Sequence, residues 1–341
     1  MTSGCLQGLQ IGSVQTRTNL ILSPMSGVTD CAFRTMVRTV SGPSVGLLVS
    51  EFVAAEGMTR DNAKTLSMLR FKEAERPISI QIFGADVDRM IRAAVMVEQA
   101  GADIVDINCG CPAPKVVRRG GGAQLMRTPD QLRAILSGIR RAVSIPVTVK
   151  IRSGWNDEGL NALEIARMVE GEGAAMLACH GRTRVQLYSG EADWDLVGQI
   201  RNALTIPVAG SGDVTSPQDA LARLEGGYAD AIMIGRAVID NPWVFAQIEE
   251  LAGGRTAPVI DGSSKVAALA LFRRELEETK PERAFRGRYR GLACRLVKGM
   301  PGGGAARRAI GSSVGIDAVD KIFSDFVLGR RSGVELMAHV A

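Results

Sequence analysis

The chain has 341 residues, 46% of them hydrophobic and 23% charged. That is globular composition with enough apolar mass for one large core or two smaller ones, and it excludes disorder and a fibrous fold. No apolar run approaches the ~18 residues of a membrane-spanning helix, and the opening MTSGCLQGLQ has no basic n-region or apolar h-region, so a cytoplasmic protein is expected.

The net charge of +5 is unevenly spread: residues 255–341 hold 16 Lys+Arg against 9 Asp+Glu, net +7, and residues 1–254 are net −2.

In chain order, strand-like apolar runs fall at 19–25, 46–52, 78–84, 104–110, 147–152, 176–181, 206–212 and 231–237. Most are near-continuous rather than alternating, as in strands covered on both faces of a parallel sheet. Helical spacing lies between them at 86–101, 128–143, 159–173 and 216–227. Eight strand–helix units within about 250 residues predict a (β/α)8 TIM barrel, an α/β fold. A doubly wound open sheet is the alternative, but no GxGxxG follows the first strand as that fold's dinucleotide fingerprint requires.

After Trp243 the strand signal stops, and helical patterns follow at 266–280, 286–298, 305–310 and 317–328. Pro281 and the GMPGGG stretch at 299–304 break them apart. The expected division is a catalytic barrel over 1–254 and an α-helical domain over 255–341. Residues 283–308 carry eight basic side chains and no acid, which suits a surface facing a polyanion.

Six scattered cysteines do not form a disulfide framework. With only two histidines, His180 and His339, and with Cys109 and Cys111 one residue apart, no structural metal is expected.

Barrels carry their chemistry at the C-terminal strand ends, and those ends are polar here: Gln81, Asn108, Lys150, Arg152, His180, Arg182, Ser211, Asp213 and Arg236. Gly210, Gly212, Gly235 and Arg236, past strands seven and eight, suit a cofactor phosphate, although such glycines also make ordinary turns. Lys150 in a barrel mouth needs an anion or an electron-rich ring, or else snorkels or pairs with Asp106. His180, Gln81 and Asn108 are either satisfied core groups or readers of a planar heterocycle. Cys111, between Gly110 and Pro112, sits on a loop whose Lys115, Arg118 and Arg119 face solvent or a phosphate backbone.

The motifs LSPMSGVTDCAFR (22–34), DINCGCPAPKVVRRGGGAQLM (106–126), VTVKIRSGW (147–155), HGRTRVQLYSGEADW (180–194), IPVAGSGDV (206–214), IMIGRAVIDNPWVF (232–245) and KGMPGGGAAR (298–307) together resemble the bacterial tRNA-dihydrouridine synthases of the DusB type. The resemblance implies an FMN-containing barrel that reduces tRNA uridines to 5,6-dihydrouridine with NADPH as electron source.

It places FMN against Pro24, Met25, Ser26, Gln81, Lys150, Ser211, Gly212, Asp213, Gly235 and Arg236, with His180 beside them. Cys111 of the GCP motif becomes the proton donor. Asn108 and Arg182 are expected at the uracil, and Lys115, Arg118, Arg119, Arg286, Arg290 and Lys298 along the tRNA. A monomer without membrane attachment is the default. Cys109 and Ser211 stand where the family often has Met and Asn. The rival readings are a barrel acting on a free pyrimidine, similar to dihydroorotate dehydrogenase, and a non-catalytic tRNA-binding relative.

Overall fold

The computed structural model describes residues 4–331 and residue 335. Eight strands form its centre: β1 Leu20–Leu22, β2 Leu47–Val49, β3 Ile78–Phe83, β4 Ile104–Asn108, β5 Val147–Arg152, β6 Met176–His180, β7 Val208–Ser211 and β8 Ala231–Ile234. Each pairs in parallel with the next, and β8 pairs with β1. That last pairing closes the ring and rules out the open sheet.

The near-continuous apolar runs have two destinations. Outward residues such as Ile78, Ile80, Ile82, Val105, Ile107, Val149 and Leu177 pack under the helices. Inward residues Ile21, Leu47, Val49, Ile104, Met176, Ala178, Ala209, Ala231 and Met233 fill the lower barrel. A short hairpin, Gln10–Ile11 against Val14–Gln15, adds Ile11 to that inner cluster and plugs the N-terminal end. Because side chains alternate along a strand, the next inward positions up are Gln81, Asp106, Asn108, Thr148, Lys150, Arg152, His180 and Ser211. Apart from Ser79, level with Ile104, polarity is thus gathered in the upper layers.

Outer helices follow most strands: α1 Cys31–Ser41, α2 Val87–Gln99, α3 Pro129–Ala142, α4 Ala162–Gly171, α5 Trp194–Ala203, α6 Pro217–Glu225 and α7 Val244–Ala252. Asp30, Asp86, Asp193 and Ser216 cap α1, α2, α5 and α6 by accepting an amide three residues on, each cap adding about 1 kcal/mol. Between β2 and β3 no long helix forms: a two-residue strand, Val53–Ala54, pairs with the end of β3, and short turns follow at Ala55–Met58, Ala63–Leu66, Ser67–Leu69 and Glu73–Glu75.

Beyond the barrel come α8 Gly262–Glu277, α9 Glu282–Leu296, α10 Gly303–Ser312 and α11 Ile316–Val327. Pro281 stands at the N-cap of α9, where it starts one helix as well as ending the other. Phe272 of α8 meets Phe33 of α1 edge-on at 6.4 Å. Arg288 of α9 grips the carboxylate of Asp30 and donates to the Val28 carbonyl at 2.9 Å, while Asp240 takes Arg295 at 3.2 Å and Lys298 at 2.6 Å. Asp30 follows β1 and Asp240 follows β8, so α9 lies on the polar face of the ring, across from the loop after β4. The far end of the helical region expected to reach 341, with His339, lies outside the described residues.

Among those residues no helix is long and apolar enough to cross a membrane, and no group of three His, Cys, Asp or Glu is arranged to hold a metal ion.

Candidate active site

Strand register places Gln81 beside Asp106 and Asp106 beside Thr148. Asp106 uses one oxygen to accept Gln81 Nε2 and the other to accept the Thr148 hydroxyl, both at 2.6 Å. Gln81 Oε1 accepts Asn108 Nδ2 at 2.6 Å, and Asn108 Oδ1 accepts the amides of Gly110 at 3.2 Å and Cys111 at 2.9 Å. A buried amide relay therefore runs from the barrel interior to the GCP loop. It spends both ends of Gln81 and Asn108 within the chain while leaving each a spare amide hydrogen among the described residues. Burial pushes the Asp106 carboxyl up despite its two donors and the charge of Lys150.

Cys111 is half-buried on this loop. Burial pushes its thiol up, against weaker opposite pulls from the Ala113 amide and Arg152, so it keeps its proton at neutral pH. Arg152 ties the loop down by donating to the carbonyls of Gly110 at 2.7 Å, Thr183 at 2.8 Å and Leu187 at 3.0 Å. Cys109 and Cys179 point outward into the core, and burial raises both thiols, that of Cys179 to about 12.

Lys150 lies level with Asn108. Among the described residues no ion pair joins it to Asp106, whose oxygens are already taken by Gln81 and Thr148. Burial, reinforced by Arg152, pulls its amine down to about 8. An ammonium placed this way favours an anion or electron-rich ring in the mouth. His180 lies level with Arg152 and Ser211. Burial and the charges of Lys150, Arg152, Arg182 and Arg236 push it down to about 2, so it is a neutral imidazole with one donor and one acceptor.

Past β7 the chain turns tightly. Gly212 has φ 123°, and a Cβ there would lie 2.5 Å from that of Ala192 and 2.9 Å from His180 Cδ2; only glycine fits. Trp194 Nε1 donates to the Gly212 carbonyl at 3.0 Å. Gly210, expected to serve a phosphate, instead makes room for that indole, since its Cβ would lie 2.3 Å from the ring.

Asp213 turns its carboxylate to Arg182 at 2.7 Å and the Ala192 amide at 2.8 Å, with Arg236 at 3.5 Å. Gly235 sits beside Met25 and Ser23, where a Cβ would make ordinary 3.5 Å contacts. The Pro24–Met25–Ser26 turn is held by the Met25 amide donating to Thr29 Oγ1 at 3.0 Å.

Three of the expected substrate contacts are engaged within the chain. Arg182 is only 2% exposed and spends its donors on Ser189 at 3.0 Å, Gly190 at 2.6 Å and Asp213; it shapes the loop after β6, with Nη1 alone unpaired. Arg290 donates to the Ser313 carbonyl at 2.7 Å, and Lys298 is held by Asp240. Arg286 is exposed, as are Lys115, Arg118 and Arg119.

Tyr188 escaped the sequence reading. It is 59% exposed, 6.4 Å from the His180 ring, with the Arg236 guanidinium 5.0 Å and the Arg152 guanidinium 5.9 Å from its centroid. A lone aromatic in the polar run HGRTRVQLYSG was the available signal.

A family profile described as Dihydrouridine synthase (Dus) matches residues 21–311. The chain belongs to the dihydrouridine synthase family. Among named dihydrouridine synthases, tRNA-dihydrouridine synthase B of Pseudomonas putida is 43% identical over 245 residues, 72% of each chain. The tRNA-dihydrouridine synthase B of Escherichia coli is 39% identical over 273 residues, 79% of this chain and 84% of that one. The solved structure of morphinone reductase in complex with tetrahydroNAD shares the fold, with a TM-score of 0.54 at 18% identity over 76% of this chain and 93% of its own.

Dihydrouridine synthases use a flavin, and this mouth fits one. Among the described residues Gln81 keeps an unused amide hydrogen, no carboxylate pairs with Lys150, and His180 is held neutral. Gly212, Gly235 and Arg236 stand where barrels hold a cofactor phosphate.

Proposed function

We propose that this chain reduces specific uridines of tRNA to 5,6-dihydrouridine, with FMN as its flavin, NADPH as electron source and Cys111 as proton donor. The observation carrying this reading is Cys111 itself: a protonated thiol on the barrel rim, fixed through Asn108 and Gln81 to the interior. The bound flavin supplies hydride to uracil C6. Cys111 donates its proton to C5, and the resulting thiolate regains one from solvent at the half-open loop. A raised thiol suits an acid, whereas a nucleophile needs a lowered one.

Gln81, Lys150 and His180 hold the flavin ring, with Pro24, Met25, Ser26, Ser211, Gly212, Asp213, Gly235 and Arg236 around it. Asn108 and the loop shaped by Arg182 border the uracil. A flipped uridine costs a few kcal/mol of stacking, which backbone contacts offset. Residues 255–341 supply those contacts through exposed Arg286 and its neighbours on α9, while Lys115, Arg118 and Arg119 supply them across the mouth. Residues 1–254 form the catalytic barrel of a monomer working in the cytoplasm.

The test is position-resolved mapping of dihydrouridine in tRNA from cells with and without this gene, alongside NADPH oxidation by the purified yellow protein. Loss of dihydrouridine at defined positions and tRNA-dependent oxidation support the reading. An unchanged map with oxidation driven by a free pyrimidine contradicts it.

A further inference from the structure

Beside the mouth opens a cleft of about 800 Å³ whose lining, Arg119 apart, plays no part in the reading above. One wall is residues 54–65 between β2 and β3, a second runs from Phe83 past β3 to Arg89, and the third is Val116–Gly121, the outer side of the loop bearing Cys111. Each wall contributes a guanidinium: Arg60, Arg89 and Arg119.

Their internal partners are few. Glu56 serves two of them, holding Arg60 at 2.9 Å and Arg119 at only 3.7 Å, and Arg89 donates to the neutral Thr59 hydroxyl at 3.0 Å. A second carboxylate in the lining, Asp86, accepts the Arg89 main-chain amide at 2.9 Å as a helix cap, so three forked donors from separate segments face two carboxylates, an excess of positive charge that suits a phosphate better than an apolar ligand. The inner end differs in character. Phe83 lies two residues past Gln81 on the same face of β3 and meets Phe52 edge-on at 5.1 Å, an aromatic step beside the flavin-binding amide. The cleft therefore grades from a guanidinium rim to the Phe83 ring next to the mouth.

We propose that this cleft docks the phosphate groups of the reduced dinucleotide that recharges the flavin, directing its nicotinamide end toward the mouth. The proposal rests on the NADPH-dependent reading above and adds where the donor binds. Recess and size favour a small dinucleotide over an RNA backbone: about 300–1,000 Å³ is the usual range for small-ligand sites, and Lys115 and Arg118 lie outside the cleft on open surface.

The test uses the full-length FMN-loaded protein and two variants, Arg60→Glu and Arg89→Gln. Arg60 is 64% exposed, so its replacement leaves the packing intact. Flavin bleaching is followed anaerobically against NADPH concentration, and tRNA affinity is measured on the same samples. The half-saturating NADPH concentration should rise about tenfold or more, with the limiting rate and tRNA affinity held within about twofold. In the unaltered protein 2′,5′-ADP should compete with NADPH, and in Arg60→Glu it should not.

An unchanged NADPH dependence in both variants overturns the assignment. So does a loss of tRNA affinity without a change toward NADPH, which would give the cleft to RNA. If NADPH fails to bleach even the unaltered protein, the donor reading itself has failed. If it bleaches all three proteins alike, only the cleft assignment has.

Discussion

Asn108 Oδ1 accepts the Cys111 amide at 2.9 Å while Asn108 Nδ2 donates to Gln81 at 2.6 Å. One buried side chain thus couples the candidate acid to the barrel interior. Replacing Asn108 with Ala strands the Gln81 carbonyl and leaves the Gly110 and Cys111 amides without their acceptor. The expected stability loss is about 1–3 kcal/mol, read by urea unfolding. Dihydrouridine formation should fall by about tenfold or more because a displaced acid loses its geometry. Full activity in Asn108→Ala would show that the relay does not position Cys111.

Gly212→Ala should lose flavin. At φ 123° an alanine is strained, and its Cβ collides with His180 and Ala192, which would displace the imidazole proposed to hold the flavin. The flavin-to-protein absorbance ratio of the purified variant measures this. A ratio equal to that of the unaltered protein would remove Gly212 from the binding site.

The basic residues of α9 divide into two groups that salt titration separates. Arg286 is exposed, so Arg286→Ala should weaken tRNA binding and lower the slope of log affinity against log salt by about one. Lys298 is occupied by Asp240, so Lys298→Ala should change the slope much less. Equal slopes for both variants would contradict the division.

Lys150 sets a pH dependence whose direction follows from its charge. As pH rises through about 8, its amine loses the proton in the flavin-free protein, so flavin association should weaken on the alkaline side. His180, pushed down to about 2, adds no step near the ordinary imidazole range. Flavin affinity followed from mildly acidic to alkaline pH tests both statements. A fall on mild acidification would mean that His180 titrates and is misplaced.

Much of the fold was legible because parallel strands buried on both faces leave apolar runs, and helices such as Val87–Gln99 and Pro129–Ala142 show their 3.6-residue spacing. The polar strand ends located the mouth for the same reason: nothing else in a barrel interior requires Gln81, Asp106 or Lys150. Illegible was which polar groups are already spent. Arg182 and Lys298 look like free cations in sequence, yet each is satisfied by residues distant in the chain, Asp213 and Asp240. Gly210 reads as a phosphate glycine, but its constraint is the Trp194 ring. Tyr188 was missed because exposure is a tertiary property, and the amide relay because it depends on strand register.

The most direct measurement is dihydrouridine in tRNA made by Cys111→Ala in a strain lacking its own activity, with flavin content checked on the purified variant. The structure predicts a flavin-loaded protein that still binds tRNA and forms little or no dihydrouridine. Dihydrouridine at the level of the unaltered protein would contradict Cys111 as the proton donor.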